Sequence, residues 1–294
     1  AEYAEYAATM GKLGAKVGLR YEHTWENVKF IVGPGANFKK HYGNLVPSAS
    51  LTYNLSAGMN LGVNYSMRIS RPGISYLNPY HDISNPTADS YGNPDLQVEK
   101  SHNIKVVFNS FTPKFMINVT LGENFANNQI EQYSFMHGSI LNTTYGNIVK
   151  SRWTNFSSFM NYAVTNKTRL MLTANVDYGD IRSKQLNAHN YGWQATTFLG
   201  VQQTFPWDLK WSMFVGGMTK KYSLQGYNGG FNMFNTTLSK SLIKDKLDLS
   251  LMYFVPFTGK IKMKQYSHGA DFENRMNISI PAQMVSFTLT WNFG

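Results

Sequence analysis

The seven histidines, His23, His41, His81, His102, His137, His189 and His268, are the side chains best suited to metal or acid–base chemistry, and no two stand at a metal-ligand spacing. Cysteine is absent, which removes thiolate metal sites, thiol nucleophiles and disulfides together. No Walker loop, dinucleotide fingerprint or Gly-x-Ser-x-Gly nucleophile elbow occurs. The expectation is therefore a non-enzyme with no metal and no cofactor. Gly226-Tyr227-Asn228-Gly229-Gly230 lacks the Lys-Ser/Thr that would hold a nucleotide and is expected to form a hairpin turn. Triplets such as Asn54-Leu55-Ser56 match a glycosylation pattern, but a strand with Asn and Ser on its wet face produces them unasked.

What remains is recognition chemistry. Arg71, Tyr76, Asn78, Tyr80 and His81 crowd one short stretch and offer a guanidinium, two phenols, an amide and an imidazole. Such a set suits contact with a bulky polar ligand, a glycan or a chelate. Pro72, Pro79, Pro86 and Pro94 fix φ and withdraw backbone donors, so the stretch cannot form a continuous ladder. Gly73 and Gly92, the latter followed by Asn93, are expected to allow sharp reversals. Pro72, Pro79, Gly92, Asn93 and Pro94 thus shape the loop, and His81, Asp82 and Asp89 could meet in a polar cluster.

Strands must position these groups. Leu61, Val63, Tyr65, Met67 and Ile69 face one way, and Asn60, Gly62, Asn64, Ser66 and Arg68 the other. Leu170 to Tyr178 and Leu247 to Val255 repeat the alternation, as do the terminal Val285, Phe287, Leu289, Trp291 and Phe293. Each run has the roughly 9–11 residues a tilted strand needs to cross hydrocarbon; no stretch approaches the ~18 apolar residues of a spanning helix. Composition agrees. Hydrophobic residues make up 43% of the chain and charged residues only 15%, against about a quarter in ordinary soluble domains. Uncharged polar residues have replaced ions, as in a wall with lipid on one side and water on the other.

Short turns fall near Gly11-Lys12, Ser56-Ala57-Gly58, Thr112-Pro113-Lys114, Thr165-Asn166-Lys167, Pro206-Trp207-Asp208 and Lys244-Asp245-Lys246. Longer or more polar connections alternate with them: 26–44, 71–97, a tip at His137-Gly138, 180–190, 225–229 and 256–271. That is the rhythm of an antiparallel transmembrane barrel, short turns on the periplasmic side and long loops outside. It counts to about thirteen strands, an odd number where bacterial barrels have even ones. No signal peptide is visible, and Ala1 to Ala7 already alternate like the inside of a strand, so earlier strands are expected to be missing. Trp207, Trp211, Trp291 and Phe293 map to the short-turn side as membrane-interface aromatics, with Tyr178 and Trp193 near the long loops. The net charge of +10 comes without any basic run longer than a Lys pair, which argues against a nucleic-acid partner.

Arg68-Ile69-Ser70-Arg71-Pro72-Gly73-Ile74-Ser75-Tyr76-Leu77-Asn78-Pro79-Tyr80, followed by Gly92-Asn93-Pro94-Asp95-Leu96-Gln97-Val98-Glu99, resembles the barrel of the TonB-dependent receptor superfamily, in its Bacteroidota-type outer membrane β-barrel family. Gly18-Leu19-Arg20-Tyr21-Glu22 and the terminal Trp291-Asn292-Phe293 look like further family marks. The resemblance implies an all-β barrel of about 22 strands with a plugged lumen. Residues 1–294 would be its C-terminal part, with no separate soluble domain; the plug, the TonB box and the first strands have no counterpart here. Implied with it are the outer membrane of a Gram-negative bacterium, TonB-dependent uptake of a bulky nutrient, and plug or ligand contact for Arg71, Tyr76, Asn78, Tyr80 and His81. The partners implied are outer membrane lipid, the TonB system through the missing N-terminal region, and a surface lipoprotein. The alternative is a non-transporting barrel, a porin, adhesin or assembly scaffold, that binds a partner through its outer loops.

Overall fold

A computed structural model describes residues 1–29, 37–243 and 246–292. Phe293 and the Lys244-Asp245 part of one short turn lie outside the described residues. The chain opens with β1 (Glu2–Met10), β2 (Leu13–Val28), β3 (Phe38–Ser56) and β4 (Met59–Ser70). A connection holding α1 (Ile74–Leu77) and β5 (Ala88–Ser90) leads to β6 (Glu99–Phe111), β7 (Phe115–His137), β8 (Ile140–Ala163), β9 (Thr168–Ser183), β10 (Ala188–Thr204) and β11 (Leu209–Met218). Then follow β12 (Lys221–Ser223), β13 (Gly226–Asn228), β14 (Phe231–Ile243), β15 (Leu247–Val255), β16 (Lys260–His268), β17 (Glu273–Pro281) and β18 (Met284–Trp291).

Thirteen of these pair edge to edge as an antiparallel wall in the order β1-β2-β3-β4-β6-β7-β8-β9-β10-β11-β14-β15-β18, with β5 added parallel to β8. The wall is an open sheet with β1 and β18 at its edges. The count and the alternation of connections both match the sequence reading. Register explains why. Ala8, Ala15, Leu51, Val63, Val106, Leu121, Phe156, Val176 and Ala195 stand opposite one another strand by strand, an unbroken apolar row. One residue along, Thr9, Gly14, Thr52, Gly62, Val107, Thr120, Ser157, Asn175 and Thr196 form the row on the other face, polar or small except at Val107. A slip of one residue in any strand would break both rows. The apolar face has no protein cover, Leu121 being 55% exposed. That is how a wall meets lipid. Inner polar groups pair across strands instead: Asn118 donates to Asn109 at 2.5 Å, Asn109 to Asn60 at 3.0 Å, and Asn155 to Asp177 at 2.7 Å.

The buried apolar side chains lie at the outer-loop end, inside the mouth. Tyr42 and Val46 of β3, Leu77, Leu96 and Val98 of the β4–β6 connection, and Val149, Ile181 and Leu224 are all buried. Two details differ from expectation. The connection from 256 to 283 holds a strand pair of its own, β16–β17, which ends at Pro281, where a ladder donor is withdrawn, before β18 begins at Met284. Gly226–Asn228 is strand β13 and not a hairpin turn; its neighbour Gly230 sits where a Cβ would lie 1.8 Å from the Met218 carbonyl oxygen. The second sheet runs β12-β13-β16-β17, repeating above the wall the order of β11-β14-β15-β18. The last four wall strands therefore continue outward past a bend.

Candidate functional site

The β4–β6 connection fills the mouth and is bonded along most of its length. Lys40 donates to the Pro94 carbonyl at 2.9 Å and Tyr42 OH to that of Leu96 at 3.4 Å. Asn147 exchanges two hydrogen bonds with the Gln97 backbone, and Asn128 does the same for Val98 and Lys100. β5 continues this docking on the edge of β8 that β9 leaves unpaired, Ala88 opposite Leu141 and Ser90 opposite Thr143. With Leu77 and Leu96 both buried, the connection is an inward-folded loop.

Most of the predicted residues build that loop. Arg71 Nη2 meets Glu22 Oε2 at 2.5 Å, and Arg20 Nε holds the other oxygen at 2.6 Å, which ties the loop to β2. Asn78 Oδ1 accepts from the Tyr80 N–H. Gly92 serves a close approach, not a reversal: a Cβ there would lie 2.5 Å from Asn78 O and 2.6 Å from Tyr76 O. Gly73 has φ −66°, which any residue adopts. Asn93 donates through Nδ2 to the Tyr145 carbonyl and accepts from Asp95 N–H, both at 2.9 Å. Pro72 and Pro79 bracket α1, and Pro94 directly follows Asn93.

Tyr76, Tyr80 and His81 keep exposed surface. Tyr76 stacks on Tyr145 with ring centroids 4.2 Å apart. His81 Nδ1 lies 2.7 Å from Asp89 Oδ2 and its ring stacks on Tyr91 at 4.2 Å. Asp82 is not in that cluster; the Ser84 side chain, and then the Ser84 N–H from which Asp82 Oδ1 accepts, hold its carboxyl below the usual range. Asp89 meets His81 as the sequence suggested, whereas Tyr145 and Tyr91 were missed by sequence reasoning, since only the docking of this connection along β8 brings them here. Two inner carboxylates were also missed. Burial pushes Glu131 above the usual carboxylate range, partly offset by the Leu224 N–H, and Glu99 pushes it further up. Glu99 is raised by burial as well, against the Ile130 N–H that it accepts at 3.2 Å. Among the described residues, no cluster of His, Asp and Glu could hold a metal ion.

Residues 1–291 match the outer membrane protein beta-barrel family. The chain belongs to that family. As an outer membrane barrel chain of a Gram-negative bacterium, it shares its fold with solved structures at low sequence identity. These include the ferric yersiniabactin uptake receptor FyuA from Yersinia pestis (TM-score 0.68, 12% identity, 99% of this chain and 45% of that one). The ferric citrate transporter FecA in unliganded form gives TM-score 0.68, 14% identity, and 99% and 44% coverage. The copper transporter OprC gives 0.67, 12%, and 97% and 47%. The chain thus spans less than half the length of these structures. No curated protein matches it in sequence. In this outer membrane barrel the motif segments meet one another: Gly92 N–H donates to Asn78 O at 2.8 Å, Asn93 N–H to Tyr76 O at 2.5 Å, and Arg71 reaches Glu22. Trp211 faces the apolar side opposite Leu238, and its Nε1 donates to Thr236 Oγ1 at 2.9 Å; Trp291 stands opposite Leu247, and Trp207 lies exposed in the β10–β11 turn.

Proposed function

We propose that the chain is the C-terminal wall, residues 1–294, of a TonB-dependent receptor that takes up a bulky polar nutrient, a glycan or a chelate. The observation that carries this reading is the inward-folded loop, which presents Tyr76, Tyr80 and His81 at the mouth of a polar lumen. Asn44 Nδ2, Arg71 Nε, Asp89 Oδ1 and Thr144 Oγ1 surround it, buried and without a protein hydrogen-bond partner, so the region has unspent capacity for a polar ligand. In the reading, ligand binds at this loop above a plug supplied by an N-terminal region, and the TonB system displaces the plug. A surface lipoprotein would sit over the outer loops. Trp207, Trp211, Trp291 and Phe293 would mark the periplasmic headgroup level, and lipid is the wall's other partner. The fold likeness to transporters of ferric chelates and copper supports the transport class.

Its test is uptake by cells carrying the full-length protein. Tyr80→Ala with His81→Ala should reduce ligand-dependent growth while heat-modifiable migration stays normal. Growth that depends neither on this protein nor on TonB would refute transport. It would favour the non-transporting scaffold, for which the outer four-stranded sheet offers a docking surface.

A further inference from the structure

A charged concavity lies on the lipid-facing side of β6 to β9, where transport through the lumen makes no use of it. We propose that it seats a phosphorylated glycolipid of the outer leaflet, with Lys150, Arg152 and Arg182 on the phosphate and the acyl chains along the apolar row below. Sidedness follows from register. Lys150, Arg152 and Thr154 alternate onto the same face as Phe156, and Arg182, Asp180 and Tyr178 onto that of Val176. The residues between them, Val149, Ser151, Ile181 and Ser183, are buried on the inside, whereas Lys150, Arg152 and Arg182 are exposed.

Three observations point to a phosphate. Lys150 and Arg182 stand directly opposite each other on neighbouring strands, and with Arg152 they outnumber the carboxylates of Glu123 and Asp180 beside them, leaving an excess of positive charge. Next, the carboxylates orient the guanidiniums without saturating them. Arg152 spends Nε on Glu123; Arg182 spends Nε and Nη2 on Asp180 at 2.6 and 2.7 Å. The remaining N–H groups form the planar fork that suits phosphate oxygens. Third, the concavity measures about 740 Å³ and is lined by Ile104, Glu123, Phe125, Tyr178 and these charges, so a headgroup has room.

A lipid is favoured over a soluble phosphate because the site opens onto the apolar face. Leu121, Phe156 and Val176 continue directly below it, and Trp193 pairs with Tyr178 at 5.1 Å, a ring pair fit for headgroup level. Basic pockets at membrane depth that bind anionic headgroups follow the same physics. The inference depends on which face meets lipid and not on what crosses the lumen.

The test is native mass spectrometry of the full-length protein in detergent, titrated with monophosphoryl lipid A, its dephosphorylated form and inorganic phosphate. Arg152→Gln with Arg182→Gln should weaken lipid A binding by at least about tenfold, the scale of one lost charge-assisted hydrogen bond. Lys16→Gln with Arg169→Gln, both on the inner face, should leave it unchanged. Lys150→Gln serves if the double arginine variant fails to fold, and should also weaken binding. Equal binding of the dephosphorylated lipid, displacement by inorganic phosphate, unchanged binding in the outer-face variants, or an equal loss in the inner-face pair would each overturn the proposal.

Discussion

Gly92→Ala should undock the mouth loop and leave the wall standing. The added Cβ would meet Asn78 O at 2.5 Å, Tyr76 O at 2.6 Å and Asn78 N at 2.8 Å, all backbone atoms that cannot swing aside. Relief requires parting the 78–92 and 76–93 contacts, which breaks two backbone hydrogen bonds. At about 1 kcal/mol each, with about 1–3 kcal/mol of overpacking, the docked loop loses roughly 3–5 kcal/mol. One power of ten corresponds to about 1.4 kcal/mol, so exchange at loop amides should speed up by roughly 10² to 10³ or more. Hydrogen exchange read by mass spectrometry is the assay, with peptides covering 74–98 against peptides from β9 and β10. Unchanged loop exchange would refute the close-approach account of Gly92. Equal acceleration in β9 and β10 would refute the claim that loop docking is separable from the wall.

Breaking the Arg71–Glu22 pair by Arg71→Ala should loosen the same peptides, by about 1–2 kcal/mol after allowance for partial exposure; a cycle with Glu22→Gln measures the coupling. Leu121→Arg should cost about 2–4 kcal/mol of folding into lipid vesicles, whereas Thr120→Arg, one residue along on the inner face, should cost little. The raised Glu131 carboxyl gives a pH dependence of definite sign. The docked state holds its proton to higher pH than the undocked one, so docking of the 223–225 tip is strongest below the ordinary carboxylate range. It weakens as pH rises through that range to the raised value, and stays weaker above it. Glu131→Gln should flatten this profile, as read by protease protection of the tip between acid and neutral pH.

The wall was legible because its determinants are local. Period-2 alternation sets the faces, and turn residues such as Gly11 and Gly58, both at positive φ, set the reversals. The mouth was not, because its partners are far apart in sequence. Nothing near Arg71 announces its ion pair with Glu22, 49 residues away. Likewise, no local pattern shows that the backbones of Asn78 and Gly92 touch. The glycines from 226 to 230 show the same limit: position 226 of β13 requires glycine because a Cβ would lie 1.8 Å from the Tyr266 carbonyl oxygen, a cross-strand fact that no local pattern carries. Local chemistry thus gave the loop's composition correctly and its roles only in part.

The β7–β8, β9–β10 and β11–β14 connections are fastened together, and this bears on how a ligand could enter. Gln225 bonds the Ser134 backbone through both ends of its amide, at 3.2 and 3.4 Å. Asn190 Nδ2 donates to the carbonyls of Ser223 and Gly226, and Leu224 is buried against Val149 and Ile181. The β11–β14 tip is thereby fastened across β10 and β9 to the β7–β8 hairpin, to which β5 also binds. Releasing the tip forfeits burial of one leucine, about 1.5–3 kcal/mol, and these four hydrogen bonds at about 1 kcal/mol each. The open state is then populated at roughly 10⁻⁴ to 10⁻⁵, and a ligand that needs it loses apparent affinity by that factor. Tyr80 and His81 lie exposed with the tip docked, so first contact there costs none of this energy. Binding that begins at the loop and loosens the tip afterwards is the order these energies favour.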